Sequence, residues 1–389
     1  MTIEKIGIDK IGFYTPEFYL DLAELAEARA VDPNKFKIGI GQDEQAVLPL
    51  DQDVITMAAN AAVQILSAED LAEIDEVIFA TESGIDQSKA GALYVQRLLG
   101  INPRARAFEV KEACYGITAA LQTAYDHLAA HSDSQKVLVI GSDVARYGVA
   151  TAGEVTQGAG AVALLVTRHP RVLVLEQPSA YFSEDVMDFW RPNYSDTAFA
   201  KGKYSTEQYL RFLDIVWHDY QTKTAAQLSD FAALLFHIPY TKLGLKGLRQ
   251  LTANSVTADQ TALLEQFTKA TLYNRRVGNI YTGSLYLSLL SLLQNSSLPA
   301  NSRVGLFSYG SGAVGEFFSG ILQPDYQVAS QLVDVQAMLA QRQRLAVTEY
   351  EAFFNQKLPT DGSKFSVPFI SQHAQFRLRG INEHQRIYE

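Results

Sequence analysis

Short apolar runs, each bounded by turn residues and too short for buried helices, recur along the chain and read as strands buried on both faces. They cover Glu76–Thr81, Lys136–Ile140, Ala161–Thr167, Arg171–Leu175, Ala232–Phe236 and Val304–Ser308, with Arg106–Val110 also strand-like. Between them the apolar spacing becomes helical. Gln52–Leu66 carries Ile55, Ala58, Ala59, Ala62 and Ile65, and Ile117, Leu121, Ala124 and Leu128 mark one face of a second helix. Thr282–Leu293 is apolar nearly all round, which predicts a core helix. Strands alternating with helices predict an α/β architecture.

A faint internal repeat constrains it further. Gly158-Ala159-Gly160-Ala161-Val162-Ala163 resembles Gly310-Ser311-Gly312-Ala313-Val314-Gly315. Ahead of each lies a helix preceded by a polar turn, Glu112–Gly116 in one half and Gly278–Gly283 in the other. Ahead of each turn is a strand ending in a polar residue, Glu82 or His237. The order predicts two duplicated halves, 1–168 and 169–389. The stretch at about 179–228, rich in Tyr, Phe, Trp and Asp and poor in periodicity, reads as an excursion from the second half that forms a wall or lid. One helix is predicted over Val333–Leu345, followed by a mixed polar tail.

Length and composition narrow the function classes. The 389 residues allow two or three domains or one large layered unit, and 47% hydrophobic with 20% charged residues excludes a disordered chain. With 33 basic against 43 acidic residues the net charge is −10, which argues against nucleic acid or an anionic membrane as a partner of the whole protein. A single cysteine, Cys114, excludes an intrachain disulfide and a cysteine-only metal site. The opening Met1-Thr2-Ile3-Glu4-Lys5 has no basic-then-apolar signal pattern, and no apolar run approaches the ~18 residues of a membrane helix, so a cytoplasmic protein is expected.

Three residues can carry chemistry. Cys114 follows the strand-like Arg106–Val110 and opens a helix, where unpaired amides and the dipole are expected to lower its pKa. The small neighbours Ala113, Gly116 and Ala119 leave room for a ligand; a buried structural cysteine is the alternative. His237 ends a strand just before Pro239 and is placed for acid–base work, or is a hydrogen-bonded core histidine. Glu82 ends another strand and is either a working carboxylate or a cap. Two motifs are set aside. Gly310–Gly315 fits G-x-G-x-x-G but is followed by strand-like residues instead of the helix a dinucleotide site needs. His127 and His131 have i, i+4 spacing but lack the Glu of H-E-x-x-H and an evident third ligand.

The chain resembles the hydroxymethylglutaryl-CoA synthases of bacterial type, within the thiolase-fold condensing enzymes. The matching stretches are K-F-K-I-G-I-G-Q at Lys35–Gln42, A-T-E-S at Ala80–Ser83, K-E-A-C-Y-G at Lys111–Gly116, D-F-W-R-P at Asp188–Pro192, F-H-I-P-Y-T-K at Phe236–Lys242, G-N-I-Y-T-G-S-L-Y at Gly278–Tyr286 and F-S-Y-G-S-G-A at Phe307–Ala313. The resemblance implies a layered αβαβα fold of two duplicated halves, and a reaction that joins acetyl-CoA to acetoacetyl-CoA in the mevalonate route to isoprenoids. In it Cys114 is the nucleophile, Glu82 the general base, and His237 orients or protonates the ketone oxygen. Substrate contacts are implied for Thr156, Ser205, Lys242, Asn279 and Ser311. Lys246 is implied near the CoA phosphates, and Asp32, Pro33 and Lys35 at the pantetheine entrance. Asp143, Tyr147 and Asp188 match supporting positions, with Tyr281, Gly310 and Gly312 beside them. The amide of Cys114 and one from the Gly310–Gly312 loop are the expected oxyanion donors. No metal and no separate cofactor are implied; a homodimer is. Val155 stands where the family often has proline, and Asn193–Tyr204 lacks the usual V-D-G ending, which loosens the assignment of Ser205. The rivals are a β-ketoacyl synthase-like enzyme, a carrier-protein-dependent β-branching enzyme, and a non-catalytic partner subunit; a NAD-binding oxidoreductase rests on the Gly310 motif alone.

Overall fold

A computed structural model describes residues 5–389; Met1–Glu4, read above for a signal pattern, lie outside the described residues. Ten strands form one mixed sheet: β1 (Ile6–Tyr14), β2 (Ile74–Ala80), β3 (Arg106–Val110), β4 (Lys136–Ala145), β5 (Gly158–Arg168), β6 (Leu173–Leu175), β7 (Ala180–Ser183), β8 (Ala233–Phe236), β9 (Arg303–Gly310) and β10 (Val314–Leu322). Their order is β8-β9-β10-β6-β1-β5-β4-β2-β3, with β7 added to β10. The duplication is visible in this order. β2 runs parallel to β4, β4 antiparallel to β5 and β5 antiparallel to β1. β8, β9, β10 and β6 repeat the same senses in the same sequence. Among the described residues β3 has no counterpart in the second half.

The helices that matter for the site are α1 (Val54–Val63), α2 (Gly116–Ala130), α3 (Gly202–Thr224), α4 (Thr241–Thr252) and α5 (Ser284–Asn295). α2 and α5 are the inner layer. Ile117, Leu121, Ala124 and Leu128 are all buried, and α5 is buried from Ser284 through Leu293, as its all-round apolar sequence predicts. α1 covers the outer face of the first half, started by a capping box between Asp53 and Thr56; α3 covers β10 and β7 in the second. The layering is αβαβα.

Three expectations need correction. β1 was not evident as a strand, because Asp9 and Lys10 interrupt its apolar run; a register shift between Ile8 and Lys10 accommodates them, and Asp9 pairs with Arg171. The stretch 179–228 does have helical periodicity, in the 23-residue α3, but aromatic residues carry it: Tyr209, Phe212, Leu213, Val216, Trp217 and Tyr220 are its buried face. The helix expected over Val333–Leu345 spans only Val335–Ala340, because Arg342 turns inward to Glu44 and Gln343–Arg344 then pairs with Phe18–Asp21 as a strand. No described helix is long and apolar enough to cross a membrane.

The repeated glycines have a steric explanation. A Cβ on Gly310 would lie 2.6 Å from the carbonyl oxygen of Glu112 and 2.8 Å from the amide of Tyr115; one on Gly158 would lie 2.6 Å from the carbonyl oxygen of Asn279. Each glycine therefore lets its strand rest on the turn that leads into the other half's inner helix.

Candidate active site

The parallel strands β2 and β8 deliver Glu82 and His237 just past their last paired residues, and the turn before α2 delivers Cys114. Two of the three meet directly: the Cys114 thiol donates to Glu82 Oε1 at 3.3 Å. The Glu82 residue is half-buried at the cavity edge, and desolvation together with the nearby Asp143 pushes its pKa up to about 8. Burial and the Glu82 carboxylate push the Cys114 thiol well above its ordinary range. This reverses the expectation of an acidified thiol: α2 begins at Gly116, two residues on, and a buried carboxylate beside the sulfur outweighs the helix dipole. Burial holds His237 neutral, with its pKa lowered to about 3 and Nδ1 unbonded among the described residues. Its amide extends the β8–β9 ladder to Phe307, and its carbonyl accepts from Tyr209.

A fully buried aspartate organises each side. Asp143 Oδ1 accepts from the Thr81 and Ser83 hydroxyls and the Glu82 amide, each at 2.9 Å; Oδ2 accepts from the Thr282 amide at 3.1 Å and hydroxyl at 2.6 Å. It thus ties the base's turn to the turn before α5. Asp188 Oδ2 accepts from Ser205 and Tyr309, and Oδ1 from the Gly312 amide at 3.0 Å. Thr81, Ser83, Thr282 and Tyr309 were missed in the sequence, where nothing but proximity to Glu82, Asn279 and Gly310 marks them.

The Gly312 amide is therefore occupied and is not the oxyanion donor expected of that loop. The Ser311 amide, next to it in the loop, makes no such bond to Asp188. Asn279 is largely used internally: Oδ1 accepts from the Tyr281 amide and Ser284, and Nδ2 donates to the Tyr147 hydroxyl at 3.3 Å. Thr156 lies beside it, its carbonyl accepting from the Asn279 amide.

A cavity of about 960 Å³ reaches the site and is lined by Glu82, Glu112, Ala113, Phe189, Arg191 and Ser311 among others. Phe189 and Trp190, with Arg191–Asn193 after them, line it, whereas Phe199–Ala200, the partner strand of that hairpin, do not. Of the residues expected to contact substrate, Ser311 alone lines this cavity. Asp32, Pro33 and Lys35 gather elsewhere, with Lys242 and Lys246: Gln42 Oε1 accepts from the amide and hydroxyl of Thr241, which docks the Lys35–Ile40 turn on the start of α4. Lys35 and Lys246 are exposed there.

The two set-aside motifs resolve simply. Gly310–Gly315 leads into β10, a strand. The His127 and His131 rings lie 4.8 Å apart at a 41° tilt, with His127 beside Asp75 and Glu76, and no group of three or more side chains that could hold a metal occurs among the described residues.

Comparison with known proteins identifies the family. The hydroxymethylglutaryl-coenzyme A synthase N-terminal family model matches residues 2–170, and the C-terminal one matches 173–269 and 249–374. The chain belongs to the hydroxymethylglutaryl-CoA synthase family. A hydroxymethylglutaryl-CoA synthase of Enterococcus faecalis is 48% identical, covering 98% of this chain and 99% of that protein. A 3-hydroxy-3-methylglutaryl-ACP synthase of polyketide biosynthesis from Bacillus subtilis is 33% identical, covering 90% and 87%. A crystal structure of HMG-CoA synthase complexed with CoA, 47% identical, superposes with a TM-score of 0.95 over 99% of both chains. A thiol and a carboxyl in contact are present in this member of the family.

Proposed function

We propose that the chain condenses acetyl-CoA with acetoacetyl-CoA and water to give 3-hydroxy-3-methylglutaryl-CoA and free CoA, through an acetyl group carried on Cys114. The observation that carries this reading is the 3.3 Å contact between the Cys114 thiol and Glu82. As Cys114 Sγ attacks the thioester carbonyl, its proton passes to the Glu82 carboxylate. The amides of Cys114 and Ser311 take the oxyanion, each worth about 3 kcal/mol if well aimed. Collapse breaks the carbon–sulfur bond to CoA, whose thiolate takes the proton from Glu82. The freed carboxylate then removes a methyl proton from the acetyl thioester, and burial keeps it basic enough to do so. The enolate adds to the ketone of acetoacetyl-CoA. His237 is neutral, so it orients and hydrogen-bonds the growing alkoxide as an N–H donor, and the proton held by Glu82 completes the alcohol. Water, activated by Glu82, releases the product and returns the thiol.

CoA thioesters are substrates here and no separate cofactor takes part. Asp32, Pro33, Lys35, Lys242 and Lys246 would form the approach for pantetheine and phosphates; the docking of the Lys35–Ile40 turn on α4 and its exposed lysines support this. Thr156, Ser205, Asn279 and Ser311 would lie along the acyl portions, with Ser205 acting through Asp188. We assign a homodimer, supported by β3, an edge strand with a free side available to a second copy. A cytoplasmic place follows from the same reading.

The test is incubation with acetyl-CoA and intact-mass measurement, then addition of acetoacetyl-CoA and detection of released thiol. One acetyl on Cys114 and thiol release in both stages are expected. Protein that stays unlabelled ends the reading. Turnover only with carrier-bound thioesters would move it to the carrier-dependent branch represented by the Bacillus subtilis relative.

A further inference from the structure

Aromatic rings surround the sulfur. Cys114 packs in one apolar cluster with Ala145 and Tyr281, and Tyr147 and Phe189 lie against them. The ring centroids are 6.1 Å apart for Tyr147–Phe189, 6.1 Å for Tyr147–Tyr281 and 5.9 Å for Phe189–Tyr281, all edge to face. Two of the rings are fixed by the backbone. The amides of Tyr147 and Gly148 donate to Gln157 Oε1 at 2.8 and 3.1 Å, and the Tyr147 hydroxyl accepts from Asn279. The Tyr281 amide donates to Asn279 Oδ1 at 2.9 Å. Phe189 is held differently. It is half-buried on a two-residue strand, and it also lines the 960 Å³ cavity, whereas Cys114, Tyr147 and Tyr281 do not. Phe189 thus separates that space from the Tyr147 and Tyr281 side of the sulfur, while Glu82 and Ala113 border the cavity on its other side.

We propose that Phe189, backed by Tyr147 and Tyr281, sets the length of acyl group that Cys114 accepts and excludes donors longer than acetyl. The inference rests on Cys114 being the acyl carrier. With a longer donor the bond changes are the same: sulfur gains the acyl carbon, CoA leaves, and the proton moves from thiol through Glu82 to CoA. Only the space differs. One further methylene must enter a ring cage already in contact, where added carbon strains the packing, and apolar pockets discriminate by about 10- to 200-fold per methylene.

The experiment compares acylation rates with acetyl-CoA and propionyl-CoA by intact mass, in wild type, Phe189→Ala and Phe189→Leu, with thermal melts as the check on folding. Wild type should favour acetyl by about 10- to 200-fold, and both variants should narrow that ratio by about tenfold or more. Phe199→Leu, which loosens the partner strand of the same hairpin without touching the cage, should keep the wild-type ratio. The inference is overturned if wild type takes propionyl as readily as acetyl, if folded Phe189 variants keep the wild-type ratio, or if Phe199→Leu narrows it equally. A wild-type protein that takes no acetyl group at all overturns the acyl-carrier reading instead, and this inference with it.

Discussion

In the first half of the sheet β2 ends at a carboxylate that touches the thiol; in the second, β8, the topological equivalent, ends at an imidazole with an unbonded nitrogen. The backbones match closely. Strand order and sense repeat, Gly158 and Gly310 each rest on the other half's turn, and each inner helix is preceded at the third residue by a positive φ, Ala113 at 41° and Tyr281 at 42°. The side chains do not match. Glu82 holds its proton to about pH 8 and the Cys114 thiol holds its own beyond that, so the first half exchanges protons; His237 is neutral down to about pH 3, so the second half is a fixed dipole. Duplication supplies two equivalent strand ends; burial and neighbouring charge then give them different protonation, one group that exchanges a proton near pH 8 and one that stays neutral.

That division of labour predicts unequal losses. Cys114→Ser should form no acyl-enzyme, seen by intact mass. Glu82→Ala removes the acceptor of the thiol proton, so it should acetylate slowly and lose about 10²- to 10⁴-fold in condensation, whereas His237→Ala should acetylate normally and lose about 10²- to 10³-fold, mainly in use of acetoacetyl-CoA. Wild-type condensation should climb as pH rises through about 8, where Glu82 ionises, and His237 should add no limb above about pH 3. Normal condensation by Glu82→Ala would remove the asymmetry. Linkage gives an independent check. The folded pKa of Glu82 lies above its ordinary 4.5, so the unfolded chain releases this proton first and stability falls as pH rises from about 4.5 to about 8. Glu82→Gln should therefore raise the melting temperature, little at low pH and most above pH 8.

Much of this was legible in the sequence because both faces of the central strands are buried. Lys136–Ile140 and Ala161–Thr167 lie within β4 and β5, and Arg106–Val110 is β3 itself. The repeat was legible because close backbone approach demands glycine at 158 and 310. What stayed hidden was pairing across distance. The five donors on Asp143 come from Thr81–Ser83 and from Thr282, far apart in the chain, with no spacing to announce them. The raised thiol pKa was invisible for a related reason: helix position can be read from sequence, but the desolvating shell of Tyr147, Phe189 and Tyr281 cannot. α3 was missed because its buried stripe is aromatic and amphipathic where aliphatic residues were sought.

The two aspartates offer the next test of the comparison. Asp143 satisfies five donors, two of them amides, and links the halves; Asp188 satisfies three within the second half. Buried donors left without an acceptor cost about 1–3 kcal/mol each, offset where water enters. Asp143→Ala should lose about 4 kcal/mol and Asp188→Ala about 2 kcal/mol, measured as shifts in denaturation midpoint. Equal losses would mean that the junction between the halves is no more dependent on buried polar contacts than the second half alone.

The smallest expected effect lies at the paired left-handed residues. A side chain at positive φ costs roughly 1–2 kcal/mol relative to glycine. At Tyr281 that strain is offset by a ring packed against Cys114, Tyr147 and Phe189. At Ala113 a single methyl offers little in return. Ala113→Gly should relieve the strain while adding freedom to the unfolded chain, which takes back about 0.4–1 kcal/mol. A net gain of about 0.5 kcal/mol is expected, visible as a slightly higher denaturation midpoint. A loss instead would show that the Ala113 methyl contributes packing comparable to its strain, and that the two turns are matched in energy as well as in backbone shape.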